Sequence, residues 1–105
     1  MDHCIILVTA GNETEAQTIA RTLVEERLAA CVNIIPGLTS IYRWEGQVCE
    51  DRELLLIKTQ AEKVAALRDR IGHLHSYAVP EVIALPITDG SAPYLAWLDS
   101  CLTPP

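Results

Sequence analysis

The sequence predicts one α+β domain over residues 1–105, in which an antiparallel sheet packs against helices. Runs of β-branched and aliphatic residues alternate with segments whose apolar residues recur at helical spacing. Their order is β-α-β-β-α-β, followed by one further helix. A tight turn at Glu45-Gly46 joins the two central strand segments into a long β-hairpin. This order is that of the ferredoxin-like fold, a four-stranded sheet with two helices on one face.

The first strand and first helix follow from local patterns. Residues 4–9 are a short β-branched run and predict a strand. Asn12 can cap a helix, with Glu15 as its capping-box partner three residues later. Apolar residues then recur at helical spacing, so a helix is predicted over about 13–27.

The hairpin is the most informative part of the chain. Its arms, 28–44 and 47–59, run well past the usual strand length of about 5–6 residues. Pro36-Gly37 interrupts the first arm, and a bulge or bend is expected there because proline cannot donate to a β-ladder. Arms of this length exceed what one small sheet needs, so we expect their outer ends to pair with a second copy of the chain.

The second half of the chain repeats the same signals. Thr59 with Glu62 has the spacing of a capping box before a helix over about 61–73. Residues 82–87 predict the last strand, and Pro93 lies in the first turn of a C-terminal helix. The residues of that helix expected to face inward are Tyr94, Leu95, Trp97, Leu98 and Cys101.

Three strands are apolar on both faces, which is unusual for a sheet with one solvated face. The runs 5–8, 54–57 and 82–85 do not alternate with polar residues. Two helices cover only one face, and the C-terminal helix is too short to cover the other. An exposed apolar face of that size promotes aggregation unless it is covered. We therefore expect an obligate homo-oligomer.

Composition restricts the function classes and the compartment. The net charge of −6, with only eight basic residues, argues against nucleic-acid binding. The N-terminal apolar run is too short for a signal peptide or a membrane span, so a cytoplasmic protein is expected. The four cysteines form no Cys-x-x-Cys motif, and reduced, mostly buried thiols are predicted. No nucleophile–base motif or paired-carboxylate arrangement indicates an enzyme.

Several longer motifs together resemble one family. They are Leu28-Ala-Ala-Cys-Val-Asn-Ile-Ile-Pro-Gly, Ser40-Ile-Tyr-Arg-Trp-Glu-Gly, Leu56-Ile-Lys-Thr, His75-Ser-Tyr-Ala-Val-Pro-Glu and Tyr94-Leu-Ala-Trp-Leu. In this set the chain resembles the CutA family of divalent-cation tolerance proteins over nearly its whole length. The resemblance implies an interlocked homotrimer similar to that of the PII signalling proteins. It also implies copper binding and tolerance to divalent metals, with no established catalytic activity.

His75 is the predicted metal ligand, for copper (Cu²⁺) or another divalent cation. Imidazole is the commonest metal ligand, and Cu(II) favours nitrogen donors. The resemblance implies a strand-one cysteine and two adjacent histidines as copper ligands, but Val8 and Leu74 occupy two of those positions and only His75 matches. His73 shares a face with His75 only if the segment is extended. The alternative is a histidine that hydrogen-bonds a loop.

A second set of residues predicts a cleft between subunits. Tyr42, Trp44 and Tyr77 could line such a cleft or fill an interface core. Lys58 and Glu81 lie in or beside apolar strands, where a charge needs a partner. They either form a ligand-binding polar cluster or hold a loop to the sheet. The full predicted set is Cys31, Asn33, Tyr42, Trp44, Lys58, Tyr77 and Glu81.

Two functions remain open at this point. The first is a non-enzymatic trimer that buffers or senses copper or another divalent cation. The alternative is a PII-like signalling adaptor that binds a small ligand between subunits, a possibility that rests on the fold alone.

Overall fold

A computed structural model describes residues 2–104 of the chain. Strands and helices alternate as the apolar patterns predict, and each begins within a few residues of its sequence signal. The elements are β1 (His3–Ala10), α1 (Glu13–Glu25), β2 (Cys31–Ile35), β3 (Ser40–Trp44), β4 (Gln47–Asp51), β5 (Glu53–Gln60), a 3-10 turn (Ala61–Lys63), α2 (Val64–Leu74), β6 (Ile83–Ile87) and α3 (Ala92–Leu102).

The main sheet has the order β2-β5-β1-β6, and its neighbouring strands are all antiparallel. This is the strand order of the ferredoxin-like fold, so the predicted fold class is confirmed. The register places Ile6 of β1 opposite Ile57 of β5, and Leu7 opposite Ile83 of β6. The apolar residues of successive strands therefore align across the sheet.

The hairpin arms are not continuous strands, which corrects one prediction. Each arm divides in two: β2 and β5 belong to the main sheet, while β3 and β4 form a separate two-stranded ribbon. The first arm bends at Pro36-Gly37 as expected, and Gly37 has a φ of +71° that favours glycine. The ribbon turn is Glu45-Gly46, where both φ angles are positive, as a type I′ turn requires.

The predicted helix caps are confirmed in one case and wrong in the other, although the second helical segment begins at Ala61, where it is predicted. The Asn12 side chain accepts a hydrogen bond from the backbone N–H of Glu15 at 2.9 Å, so α1 begins where predicted. It ends at Glu25, two residues before the predicted end, and Arg27 then adopts a φ of +59°. Thr59 does not cap the second helix, because its hydroxyl donates instead to the carbonyl of Leu28 at 2.7 Å.

One face of the main sheet forms the core with α1 and α2. Alternate residues of β1 and β5 point into it, as the strict alternation of burial along these strands shows. The strand residues of this core include Cys4, Ile6, Val8, Leu55 and Ile57, and the helix residues include Ile19, Leu23, Leu67 and Ile71. The fold of the single chain therefore rests on this layer.

The second face of the main sheet is only partly covered. Helix α3 packs on one end of it, where Leu98 and Leu102 contact Ala30. Beyond α3 the face is apolar, and Ile83 and Leu85 remain 49% and 45% exposed. Other large apolar residues of this second face include Ile5, Leu7, Ile35, Leu54 and Leu56.

Two residues of α3 do not face inward as predicted. Tyr94 and Trp97 are 42% and 46% exposed, and their rings contact each other with centroids 5.4 Å apart. Only Leu98 and Leu102 of this helix are fully buried. A helix that packs on one end of a sheet buries only a narrow face. Because apolar residues occur on all sides of α3, its sequence does not indicate which face is buried. Within residues 2–104, no helix has the length and hydrophobicity needed to cross a membrane.

Candidate functional site

A cleft lies between the ribbon and the segment that follows α2. It consists of two adjoining cavities of about 190 and 380 Å³. Both are lined by Tyr42, Trp44, Tyr77 and Val79, and we call this space the ribbon cleft. The further lining residues are Glu45 and Ala78 in the first cavity, and Thr9, Ser40, Ile41, Asp51, Pro80 and Glu81 in the second.

Asp51 is the polar centre of the ribbon cleft. This last residue of β4 is only 2% exposed, yet no basic residue within 2–104 forms a salt bridge with it. The hydroxyl of Tyr42 donates to Asp51 Oδ1 at 3.3 Å, and the hydroxyl of Tyr77 donates to the same oxygen. Gly11 leaves room for this arrangement, since a Cβ there would lie 3.1 Å from the Tyr77 hydroxyl. One oxygen of the buried carboxylate thus accepts hydrogen bonds from two tyrosines.

The sequence analysis did not select Asp51, although a signal for it exists. The two-residue turn fixes the ribbon register, in which Tyr42 pairs with Cys49 and Ser40 with Asp51. Side chains at alternate positions share a face, so Asp51 is a diagonal neighbour of Tyr42. Applying the register of the turn would have placed this carboxylate beside the tyrosine.

Both tyrosines hold their protons more tightly than usual. Burial raises the pKa of Tyr77 above its ordinary range, and the hydrogen bond to Asp51 raises it further. Burial is also the largest cause of the raised pKa of Tyr42. Both hydroxyls therefore stay protonated at neutral pH and remain donors to Asp51.

The raised pKa of Tyr77 predicts a loss of stability at alkaline pH. A tyrosine with a higher pKa in the folded state contributes fully below the unfolded pKa of about 10, and that contribution falls as the pH rises above it. Tyr77→Phe is expected to be less stable than wild type at pH 8, and the difference should shrink by up to about 1.4 kcal/mol per pH unit above pH 10. Urea unfolding from pH 8 to 11 measures this. A difference that stays constant with pH would contradict the assignment.

His75 lies beside the ribbon cleft with both ring nitrogens engaged. Its Nδ1 accepts from the backbone N–H of Tyr77 at 3.1 Å, so Nε2 carries the proton and donates to the carbonyl of Thr9 at 2.7 Å. Its side chain is fully buried, and its ring contacts that of Tyr77 with centroids 4.6 Å apart. In this geometry His75 holds the 75–77 segment against β1. Glu15 Oε1 lies 3.6 Å from Nδ1 and is buried without a hydrogen bond.

The described residues do not assemble a preformed metal cluster. Across residues 2–104, no three His, Cys, Asp or Glu side chains come close enough to hold an ion together. His73 bonds the carbonyl of Asp69 through Nδ1 at 2.8 Å, on the exposed side of α2. Val8, at the strand-one position, is fully buried in the core. The role of His75 as a metal ligand stays a prediction.

The predicted cleft residues fall into two groups. Tyr42, Trp44, Tyr77 and Glu81 line the ribbon cleft together within one chain. The remaining three, Cys31, Asn33 and Lys58, lie on the second face of the main sheet, away from that lining.

Within the second group, Asn33 is the shared acceptor. Lys58 Nζ donates to Asn33 Oδ1, and the Cys31 thiol donates to the same oxygen at 3.7 Å. Lys58 thus has a polar partner, as a charge in an apolar strand requires.

The four cysteines are free thiols. Only Cys4 is fully buried, and burial raises the pKa of its thiol. Cys31, Cys49 and Cys101 are partly buried and none of the four is exposed, in agreement with the expectation of mostly buried thiols.

Comparisons with known proteins agree over almost the whole chain. The family model described as "CutA1 divalent ion tolerance protein" matches residues 4–101. The divalent-cation tolerance protein CutA of Thermus thermophilus is 58% identical over 95 residues, which are 90% of this chain and 92% of that protein. Protein CutA of Homo sapiens is 55% identical over 92 residues, 87% of this chain but only 51% of the human protein.

A solved structure supports the fold independently. The crystal structure of CutA1 from Oryza sativa superimposes with a TM-score of 0.93 at 43% identity, covering 98% of this chain and 95% of that chain. The match of the family model extends through the sheet and the ribbon and covers α3 up to Cys101. The chain therefore belongs to the CutA1 family of divalent ion tolerance proteins.

Proposed function

We propose that this chain is a homotrimer that takes part in tolerance to divalent cations without an enzymatic step. The observation that carries the assembly is the uncovered second face of the main sheet. The proposed function rests on membership of the family, whose description is divalent ion tolerance and not a chemical reaction.

The second face is suited to contact with other copies of the chain. Leu85 lies opposite Ile5 and Ile83 lies opposite Leu7, so their exposed side chains form a continuous apolar surface. Soluble monomers rarely expose contiguous apolar surfaces of this kind. Three copies packed on this face would remove it from water, and a trimer is the assembly that the resemblance implies.

We propose that the chain binds copper or another divalent cation and that His75 coordinates the ion. The single chain does not offer a ready site, because both nitrogens of His75 hold hydrogen bonds. Binding through Nε2 therefore requires release of the Thr9 carbonyl and transfer of the ring proton to Nδ1, which also breaks the bond from the Tyr77 N–H. The loss of both hydrogen bonds lowers the affinity.

A copper titration tests the role of His75. His75→Gln keeps an N–H donor for the Thr9 carbonyl but removes the imidazole. It is expected to weaken Cu(II) binding by at least about tenfold, since even outer-shell substitutions cost about 10–100-fold in metal affinity. His73→Gln is the matched control and should stay close to wild type. Isothermal titration with copper sulfate measures all three proteins.

The titration separates the parts of the metal proposal. Equal affinity in wild type and His75→Gln would show that His75 is not a ligand. Absence of Cu(II) binding in wild type would reject copper as the cation.

A second candidate function is a PII-like signalling adaptor. The ribbon cleft favours it, because a concave aromatic space with a buried carboxylate is typical of a ligand site.

We propose the cytoplasm as the compartment, and the four free thiols support a reducing environment.

A further inference from the structure

The charged residues that line the ribbon cleft are all acidic. Its ionisable lining residues other than the tyrosines are Glu45, Asp51 and Glu81, and no lysine or arginine lines either cavity. Glu81 is exposed at the edge, while Asp51 is buried at the centre. A concave space with this lining attracts a cation and repels an anion.

The hydrogen bonds of the ribbon cleft leave acceptors unused. The hydroxyl protons of Tyr42 and Tyr77 both go to Asp51 Oδ1, so the tyrosine oxygens keep free lone pairs. Asp51 Oδ2 receives no donor from any side chain or backbone group in the hydrogen-bond network of residues 2–104. Both hydroxyl protons at the centre of the cleft are therefore already used, and within residues 2–104 no further donor is directed at Asp51 Oδ2.

Aromatic rings form much of the wall around these acceptors. Tyr42, Trp44 and Tyr77 line both cavities, and the remaining wall includes the apolar side chain of Val79. A cation over a tyrosine or tryptophan ring gains cation–π energy, and an aliphatic stem gains contact with the apolar wall. A strongly hydrated metal ion gains neither.

We propose that the ribbon cleft binds a small organic cation that carries a primary ammonium group. The three N–H donors of the ammonium match Asp51 and the two tyrosine oxygens, and its alkyl stem lies against the aromatic wall. The larger cavity, about 380 Å³, lies in the range of small-molecule sites. This inference names a ligand class for the cleft of the second candidate function, and it is independent of the trimer and of the metal proposal because one chain supplies the lining residues of both cavities.

Three probes of similar size separate the contributions of the N–H donors, the positive charge and the apolar stem to binding. n-Butylammonium chloride offers N–H donors, positive charge and an apolar stem. Tetramethylammonium chloride keeps the charge but has no N–H, and sodium butyrate reverses the charge. Chemical-shift titration of the full protein is expected to show saturable binding of n-butylammonium at the ribbon cleft. Tetramethylammonium should bind about threefold or more weakly, and butyrate should not bind.

Substitutions locate the site. Asp51→Asn keeps the shape but removes the charge, and it is expected to weaken n-butylammonium binding by about tenfold, the loss expected for one charged hydrogen bond. Glu81→Gln removes a charge at the exposed edge of the cleft and is expected to weaken n-butylammonium binding by about twofold to fivefold. This variant keeps the test valid if Asp51→Asn does not fold. Glu50→Gln is the control, since Glu50 lies on the opposite face of β4.

Each outcome supports or overturns the inference. Binding that follows the order n-butylammonium, tetramethylammonium, butyrate and weakens in the cleft variants supports it. No saturable shifts at the cleft would overturn it, including the case in which a neighbouring subunit fills the space. Equal competition by magnesium chloride at the same ionic strength would also overturn it. None of these results bears on the copper titration or on the mass of the assembly, which test the proposed function.

Discussion

Leu85→Asp is expected to dissociate the assembly while leaving the fold of the single chain intact. Leu85 is 45% exposed on the second face, outside the core between the sheet and the helices. If copies of the chain pack on this face, each copy would bury an unpaired carboxylate at the contact, which is strongly unfavourable. We expect association to weaken by at least about 100-fold, or about 2.7 kcal/mol. Sedimentation velocity at several protein concentrations measures this.

The matched control is Val24→Asp. Val24 is 41% exposed, similar to Leu85, but it lies on α1 and away from the second face. This variant should keep the wild-type sedimentation profile. Dissociation in both variants would show that the effect comes from general destabilisation, and unchanged association of Leu85→Asp would show that the second face is not the contact.

Ile57→Ala is expected to cause the largest loss of stability among single core truncations. Ile57 lies in the middle of β5, between Ile6 of β1 and Val32 of β2, and it is fully buried. Removing three carbons from a closed core leaves a cavity, and such changes cost about 2–5 kcal/mol. Urea unfolding followed by circular dichroism measures the change in the free energy of unfolding.

An exposed truncation provides the comparison for Ile57. Val24→Ala removes apolar atoms from the surface of α1, where alanine also has the better helix propensity, and its effect should stay within about 0.5 kcal/mol. A loss below about 1 kcal/mol for Ile57→Ala would contradict the placement of β5 at the centre of the core.

Much of the fold follows from local chemistry. The turn at Glu45-Gly46 and the Asn12 cap are readable because each depends on residues close in sequence. The division of the hairpin arms into separate strands is harder to predict from the sequence. Pro36 signals the bend in the first arm, but neither glycine nor proline lies beside Arg52, where the second arm divides. That break follows from the bend of the partner arm, which is a tertiary effect.

The site was predicted in part, for similar reasons. Residue type alone points to Tyr42, Trp44 and Tyr77, which line one cleft within the chain, while the cleft between subunits stays a prediction. Asp51 was missed because its burial comes from a segment 26 residues later in the chain, whose tyrosine covers it. The bond from His75 to the carbonyl of Thr9 leaves no trace in the sequence, because any residue supplies a carbonyl.

The face that the helices do not cover remains the central feature of the molecule. Its apolar runs could be read from the sequence, and the structure places Ile83 and Leu85 on it, about half exposed. Tyr94 and Trp97 of α3 add further exposed aromatic surface. The self-association that we propose accounts for apolar side chains that the single chain does not bury.

Light scattering coupled to size-exclusion chromatography tests this account most directly. The wild-type protein at micromolar concentration is expected to elute as one species with three times the chain mass of 11.6 kDa. A mass equal to that of one chain would contradict self-association through the second face, and a mass of two chains would contradict the trimer.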